Sequence, residues 1–210
     1  MAITKDFLGA VSLAASRSSG SHIVPWPIPG NPGAVISFET FAEWRRFVLG
    51  FTLSHAIPKI VALKFERAQK LYLLAWIDFD LIKAGELVAL TTLELALQDC
   101  YGSKVEKKHK SFNGLLQYMV EKDSLTDEQI PMCVKSGGTA VRGLYETEVD
   151  RNKRRSTAVR PPMTLAEIRN SLAHGYPFDG FPWGGLLELV RDLIAYAYRH
   201  MIEEVEAKTR

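Results

Sequence analysis

Between Pro58 and Gly102 the chain carries apolar residues on nearly every helical turn, and this run limits what the molecule can fold into more than any other feature. Pro58 suits a first helical position. Ile60, Leu63, Leu71, Leu74 and Ile77 then predict a long helix running towards Gly85, a glycine placed to stop it. The middle of that helix is apolar on nearly every side, which puts it at the centre of a bundle. Leu87, Leu90, Leu93, Ala96, Leu97 and Tyr101 mark one face of a second helix ending at Gly102. Two such helices in succession make a hairpin, and the fold class expected is all-α.

The rest of the chain extends that expectation. From Thr40, the pattern Phe41, Trp44, Phe47, Val48 and Phe51 reads as an amphipathic helix, and Ser111 caps a shorter one carrying Leu115, Leu116 and Met119. Residues 124–138 carry no clear period. Val141 and Leu144 open a segment that turns strongly polar before Pro161-Pro162 breaks it. A last helix starts near Gly185, with Leu186, Leu189, Val190, Leu193, Ile194, Ala197, Met201 and Val205 on one face. There is no internal repeat and no run of alternating strands that would build a sheet. Ahead of Thr40, Ser18-Ser19-Gly20-Ser21, Pro25, Pro27, Pro29-Gly30 and Asn31-Pro32-Gly33 exclude a helix, with Val35–Phe38 a short extended piece. The organisation expected is therefore an irregular N-terminal arm over 1–39 and a helical domain over 40–210.

With 210 residues, 47% of them hydrophobic, the chain can bury a real core as one domain with a decorated terminus. A formal charge of +2 gives no global field that would imply nucleic acid, so any basic patch must be local. Cys100 and Cys133 lie far apart, outside any zinc-ligand spacing or disulfide framework, which suits a reducing compartment and points to no metal and no cofactor. The apolar stretch 7–15 follows Lys5, but Asp6 interrupts its flank and it is short for a signal peptide. The stretch from Leu71 to Ile82 is broken by Asp78 and Asp80 and is too short to span a bilayer. The expected setting is cytoplasmic, with no membrane partner.

One segment carries candidate chemistry. In Thr164-Leu165-Ala166-Glu167-Ile168-Arg169-Asn170-Ser171-Leu172-Ala173-His174-Gly175, Thr164 and Glu167 make a capping box and Gly175 a left-handed stop. The prediction is a helix of about ten residues with both ends specified. Leu165, Ile168 and Leu172 face the core. Asn170 and His174 fall four apart on one face, with Arg169 to the side of it.

The run Arg-Asn-x-x-Ala-His-Gly, following Glu-Ile, resembles the R-x4-6-H signature of the HEPN superfamily, down to the polar residue after the arginine. The hairpin around Gly85-Glu86-Leu87 and Leu93-Glu94-Leu95 resembles the early helices of such domains, and the resemblance covers roughly residues 56 to 208. It implies a HEPN-like helical bundle that dimerises. It also implies a metal-independent endoribonuclease of the toxin-antitoxin or antiviral-defence kind, leaving a 2′,3′-cyclic phosphate and a 5′-hydroxyl. The implied partners are RNA (tRNA or mRNA), a second copy of the chain, and a cognate antitoxin such as a nucleotidyltransferase. A second Arg-x4-His match, Arg17 to His22, sits in Ser-Ser-Gly-Ser with no helix to fix either side chain and is read as accidental.

The residue types fit that chemistry. Metal-free RNA cleavage needs a base for the ribose 2′-hydroxyl and a cation for the charge gathering on phosphate. His174 suits the first task, since imidazoles titrate near neutrality, and Arg169 the second, with Asn170 orienting the ring or a phosphate oxygen. Arg169 and His174 stand about 140° apart around their helix, so two copies facing across a dimer make a better clamp than one. Arg151, Lys153, Arg154, Arg155 and Arg160 form a basic run able to follow an RNA backbone, and Lys104 to Lys110 form a second. Tyr176 completes the R-x4-H-x-Y form of HEPN toxins whose partner nucleotidyltransferase adds AMP to that tyrosine. The blander alternatives stay open: a catalytically silent HEPN module binding a nucleotide or protein, a surface arginine with a capping histidine, Tyr176 packing back on its helix, and Trp183 as a loop anchor or a base-stacking platform.

Overall fold

The computed structural model describes residues 3–16, 20–147, 149–150, 152, 162–175 and 182–209. Among these the molecule is mostly helical, with one two-stranded sheet. Its elements in chain order are α1 (Lys5–Ala15), β1 (His22–Pro25), β2 (Val35–Phe38), α2 (Phe41–Leu49), α3 (Lys59–Leu74) and α4 (Leu81–Tyr101). There follow α5 (Phe112–Glu121), α6 (Pro131–Ser136), α7 (Leu165–Ala173), α8 (Leu186–Ala197) and α9 (Arg199–Thr209).

The hairpin of α3 and α4 forms the middle, but its break falls earlier than expected. The single helix read through to Gly85 is two: α3 ends at Leu74, and a turn in which Asp78 accepts from the Asp80 N–H (3.2 Å) leads into α4. Gly85 lies inside α4 and stops nothing. A Cβ there would stand 2.7 Å from Cδ2 of buried Tyr72, so the glycine lets the two helices approach closely. The true centre is α4, which packs against α3, α5, α7 and α8 and buries Ile82, Ala89, Leu90, Leu93, Ala96 and Leu97. No helix among the described residues is long and apolar enough to cross a membrane.

The irregular N-terminal arm is corrected by the structure. Thr4 caps α1, which buries Val11 and Ala15, and β1 pairs antiparallel with β2 in the register His22 with Phe38 to Pro25 with Val35. Val24, Trp26 and Phe38 are buried, Trp26 stacks on Phe51, and its indole N–H donates to Glu188 of α8 (2.8 Å). The prolines and glycines that exclude a helix here do so by building a hairpin. His22, from the accidental motif copy, is wedged edge-on against Trp76 and stacked on Phe79, and burial pulls its pKa down; Arg17 lies outside the described residues.

Elsewhere the expected elements appear with shifted ends. A full capping box of Thr40 and Glu43 opens α2, and Ser111 accepts from the Gly114 N–H to open α5. Residues 124–138 fold as a short turn of helix at Asp127–Gln129 followed by α6, which Gly137 closes in the left-handed region (φ 72°). The last helix is two, parted at Tyr198, whose hydroxyl reaches Asp99 (2.7 Å), while Arg199 grips Asp123 with two 2.8 Å hydrogen bonds. Cys100 and Cys133 are both free thiols.

Candidate functional site

Helix α7 is specified locally and docked by its apolar side. The Thr164 hydroxyl accepts from the Glu167 N–H (3.3 Å), and the Glu167 carboxylate accepts from the Thr164 N–H (2.8 Å). Leu165, Ala166, Ile168 and Leu172 are buried, and the helix lies against α4. At its other end Gly175 takes φ 72° and its N–H donates to the Leu172 carbonyl (3.3 Å).

This frame brings Arg169, Asn170 and His174 to the surface side of α7. Arg169 is half-buried and its guanidinium is aimed by two neighbours. Nε and Nη2 donate to one carboxylate oxygen of Glu94 on α4 (3.0 and 2.5 Å), and Nη1 donates to Oδ1 of Asn170 (3.1 Å). A guanidinium has five N–H groups, of which three are engaged among the described residues, leaving two for an incoming anion. Asn170 is itself exposed.

His174 is the C-cap of α7. Its backbone N–H donates to the carbonyls of Asn170 (3.0 Å) and Ser171 (3.2 Å), which fixes the main chain while the imidazole stands in solvent. Among the described residues no hydrogen bond joins Arg169 to His174, in keeping with their separation around the helix. The remaining sequence-derived site residues, Arg151, Lys153, Arg154, Arg155, Arg160 and Tyr176, lie outside the described residues.

Two further charged residues belong to this surface. Glu94 sits in Leu93-Glu94-Leu95, where a lone carboxylate beside an apolar stripe was the available signal, but its partner Arg169 lies 75 residues later. Lys64 of α3 donates to the carbonyl of Thr91 (3.1 Å), one turn before Glu94 on α4. Of the second basic run, Lys108 pairs with Glu106 (3.0 Å) and Lys104 lies over the Tyr101 ring.

Trp183 is held through its main chain, while the residue is 37% exposed. Its backbone N–H donates to the buried carboxylate of Glu86 (2.5 Å), and the Lys83 ammonium, 5.9 Å from the ring centroid, pairs with the same carboxylate (3.2 Å). Burial pushes the Glu86 carboxyl up to about 7, against the opposing pull of Lys83 and of that backbone N–H. Among the described residues no group of three or more His, Cys, Asp or Glu side chains is arranged to hold a metal ion. No family model, no curated protein and no solved structure matches the chain.

Proposed function

We propose that this protein is a metal-independent endoribonuclease of HEPN type, working in the cytoplasm as a toxin or antiviral defence effector. The observation that carries the reading is a short helix, specified at both ends and docked on α4, that holds Arg169 under a carboxylate's guidance and leaves the His174 imidazole in solvent. In the proposed reaction His174 takes the proton of a ribose 2′-hydroxyl. The freed oxygen attacks the adjacent phosphorus, and the bond to the 5′-oxygen breaks, giving a 2′,3′-cyclic phosphate and, once that oxygen is protonated, a 5′-hydroxyl. Arg169 neutralises charge on the phosphoryl oxygens, and Asn170 and Glu94 hold its fork in place.

The angular separation of Arg169 and His174 favours a homodimer in which two copies of α7 line one groove and each phosphate is shared between them. The basic residues from Arg151 to Arg160 serve this reading as an RNA-backbone track. Tyr176 serves it as the point at which a nucleotidyltransferase antitoxin silences the toxin.

The test is incubation with total tRNA and mRNA in EDTA, followed by mapping of the ends. The wild type is expected to leave cyclic phosphates, and His174→Ala to cleave about 10²–10⁴-fold more slowly with an unchanged melting temperature. Undiminished cleavage by His174→Ala would overturn the assignment. A second reading, a catalytically silent module binding a nucleotide or a protein, is favoured by one feature: Arg169 already spends three donors on Glu94 and Asn170.

A further inference from the structure

The cationic surface around Arg169 is wider than the motif helix. On α3, Lys64 and Arg67 stand one helical turn apart, a rise of about 4.5 Å, on the side away from buried Val61, Phe65, Ala68 and Tyr72. Arg67 is exposed and Lys64 half-buried. The Lys64 ammonium donates to the Thr91 carbonyl, midway along α4, and Thr91 lies one turn before Glu94. Glu94 in turn holds Nε and Nη2 of Arg169. Side chains from α3, α4 and α7 therefore meet at one place.

The charges at that place do not balance. Partial burial pulls the pKa of Lys64 down; among its charged neighbours one carboxylate, Glu94, pulls it back up, while two cations, Arg67 and Arg169, lower it further. By contrast, the Lys70–Glu66 pair within α3 and the Arg199–Asp123 pair each match one cation to one carboxylate. Here positive charge is left over at a partly desolvated surface, where its attraction for a polyanion is strongest.

We propose that Lys64 and Arg67 form a phosphate-binding subsite continuous with Arg169, which takes a backbone phosphate of the RNA next to the one at the cleaved bond. The choice of RNA as ligand rests on the ribonuclease reading. Arg67 offers a planar fork to two phosphate oxygens, and Lys64, tethered at Thr91, supplies a point charge between that fork and Arg169. Glu94 keeps Arg169 from swinging away under the repulsion of its neighbours.

The experiment measures binding of labelled single-stranded RNA in EDTA over a range of salt, in a His174→Ala background so that cleavage does not interfere. Adding Lys64→Gln and Arg67→Gln is expected to weaken binding about tenfold or more near 0.1 M salt. The same change should lower the slope of log affinity against log salt by about 0.7, for the one phosphate the subsite neutralises. Arg45→Gln with Arg46→Gln, removing two exposed arginines of α2, is the charge-matched control and should change the slope less. Should the double variant fold poorly, Arg67→Gln alone, at an exposed position, should lower the slope in the same direction by part of that amount.

An unchanged slope, or an equal loss in the control, overturns the subsite. If the wild type cleaves RNA while the slope stays put, the subsite falls and the nuclease stands. If binding depends on Lys64 and Arg67 but nothing is cut, the subsite stands and the nuclease falls. Absence of RNA binding overturns both.

Discussion

Helix α4 carries two glutamates, Glu86 and Glu94, that share a helix and a charge but have opposite surroundings. Glu86 is fully buried, pairs with Lys83 and clamps the backbone of Trp183; burial raises the pKa of the nearby Tyr72 hydroxyl, and the Glu86 charge adds to that rise. Glu94 sits two turns on with 28% of its side chain exposed, holding an arginine whose side chain is equally exposed. The first pair, within α4, gives up hydration on both sides, and its carboxylate ties α4 to the segment before α8 through the Trp183 N–H, so its worth is architectural. The second keeps water and reach, and what it fixes is the direction of a cation. Burial, more than the identity of the pair, separates scaffold from site on this helix.

Removing each carboxylate should break the symmetry sharply. Glu86→Ala takes the acceptor from the Trp183 N–H and the counter-charge from Lys83 in a dry setting, and should cost about 3–5 kcal/mol in chemical denaturation. A cost below ~1 kcal/mol would show that this pair is no more structural than its exposed counterpart.

The pH dependence sharpens the same contrast. With the folded-state pKa of Glu86 pushed up to about 7, the folded protein keeps a proton between about pH 4.5 and 7 that the unfolded chain has released. The stability this residue contributes is therefore present below that window and is lost as pH rises through 7. Lys83→Met combined with Glu86→Gln removes the titration and both charges together. Relative to this double variant, the wild type should lose about 1–3 kcal/mol between pH 5 and 8, read from urea midpoints. A constant difference would mean that Glu86 ionises as an ordinary surface carboxylate.

The legibility of these features in the sequence follows their range. Helix α7 was readable because Thr164, Glu167 and Gly175 act on backbone groups within one turn of themselves. Arg169, Asn170 and His174 were readable with it, since a helix of known phase sets which side chains reach solvent. The hairpin is not legible, because the prolines and glycines of 16–34 look identical in an irregular arm and in a docked turn. What docks it is Trp26 reaching Glu188, 162 residues away. From the sequence Gly85 reads as a stop, because its role, admitting Tyr72 of the neighbouring helix, exists only after packing. The role of Glu94 is illegible for the same reason: nothing near it in the chain hints at Arg169.

The smallest expected effect on stability falls on Glu94, and it separates guidance from glue. Glu94→Gln keeps the shape of the side chain and one acceptor oxygen but removes the charge, and at 28% exposure the change should alter stability by less than about 1 kcal/mol. If Glu94 positions Arg169 for chemistry, the variant should lower kcat about tenfold while KM moves little, because the fork is misaimed in the transition state more than in ground-state binding. Glu94→Asp, which restores the charge on a shorter stem, should recover part of kcat, a rescue that a purely structural pair would not produce. Equal falls in stability and kcat, with no recovery in the aspartate, would return Glu94 to the same standing as Glu86.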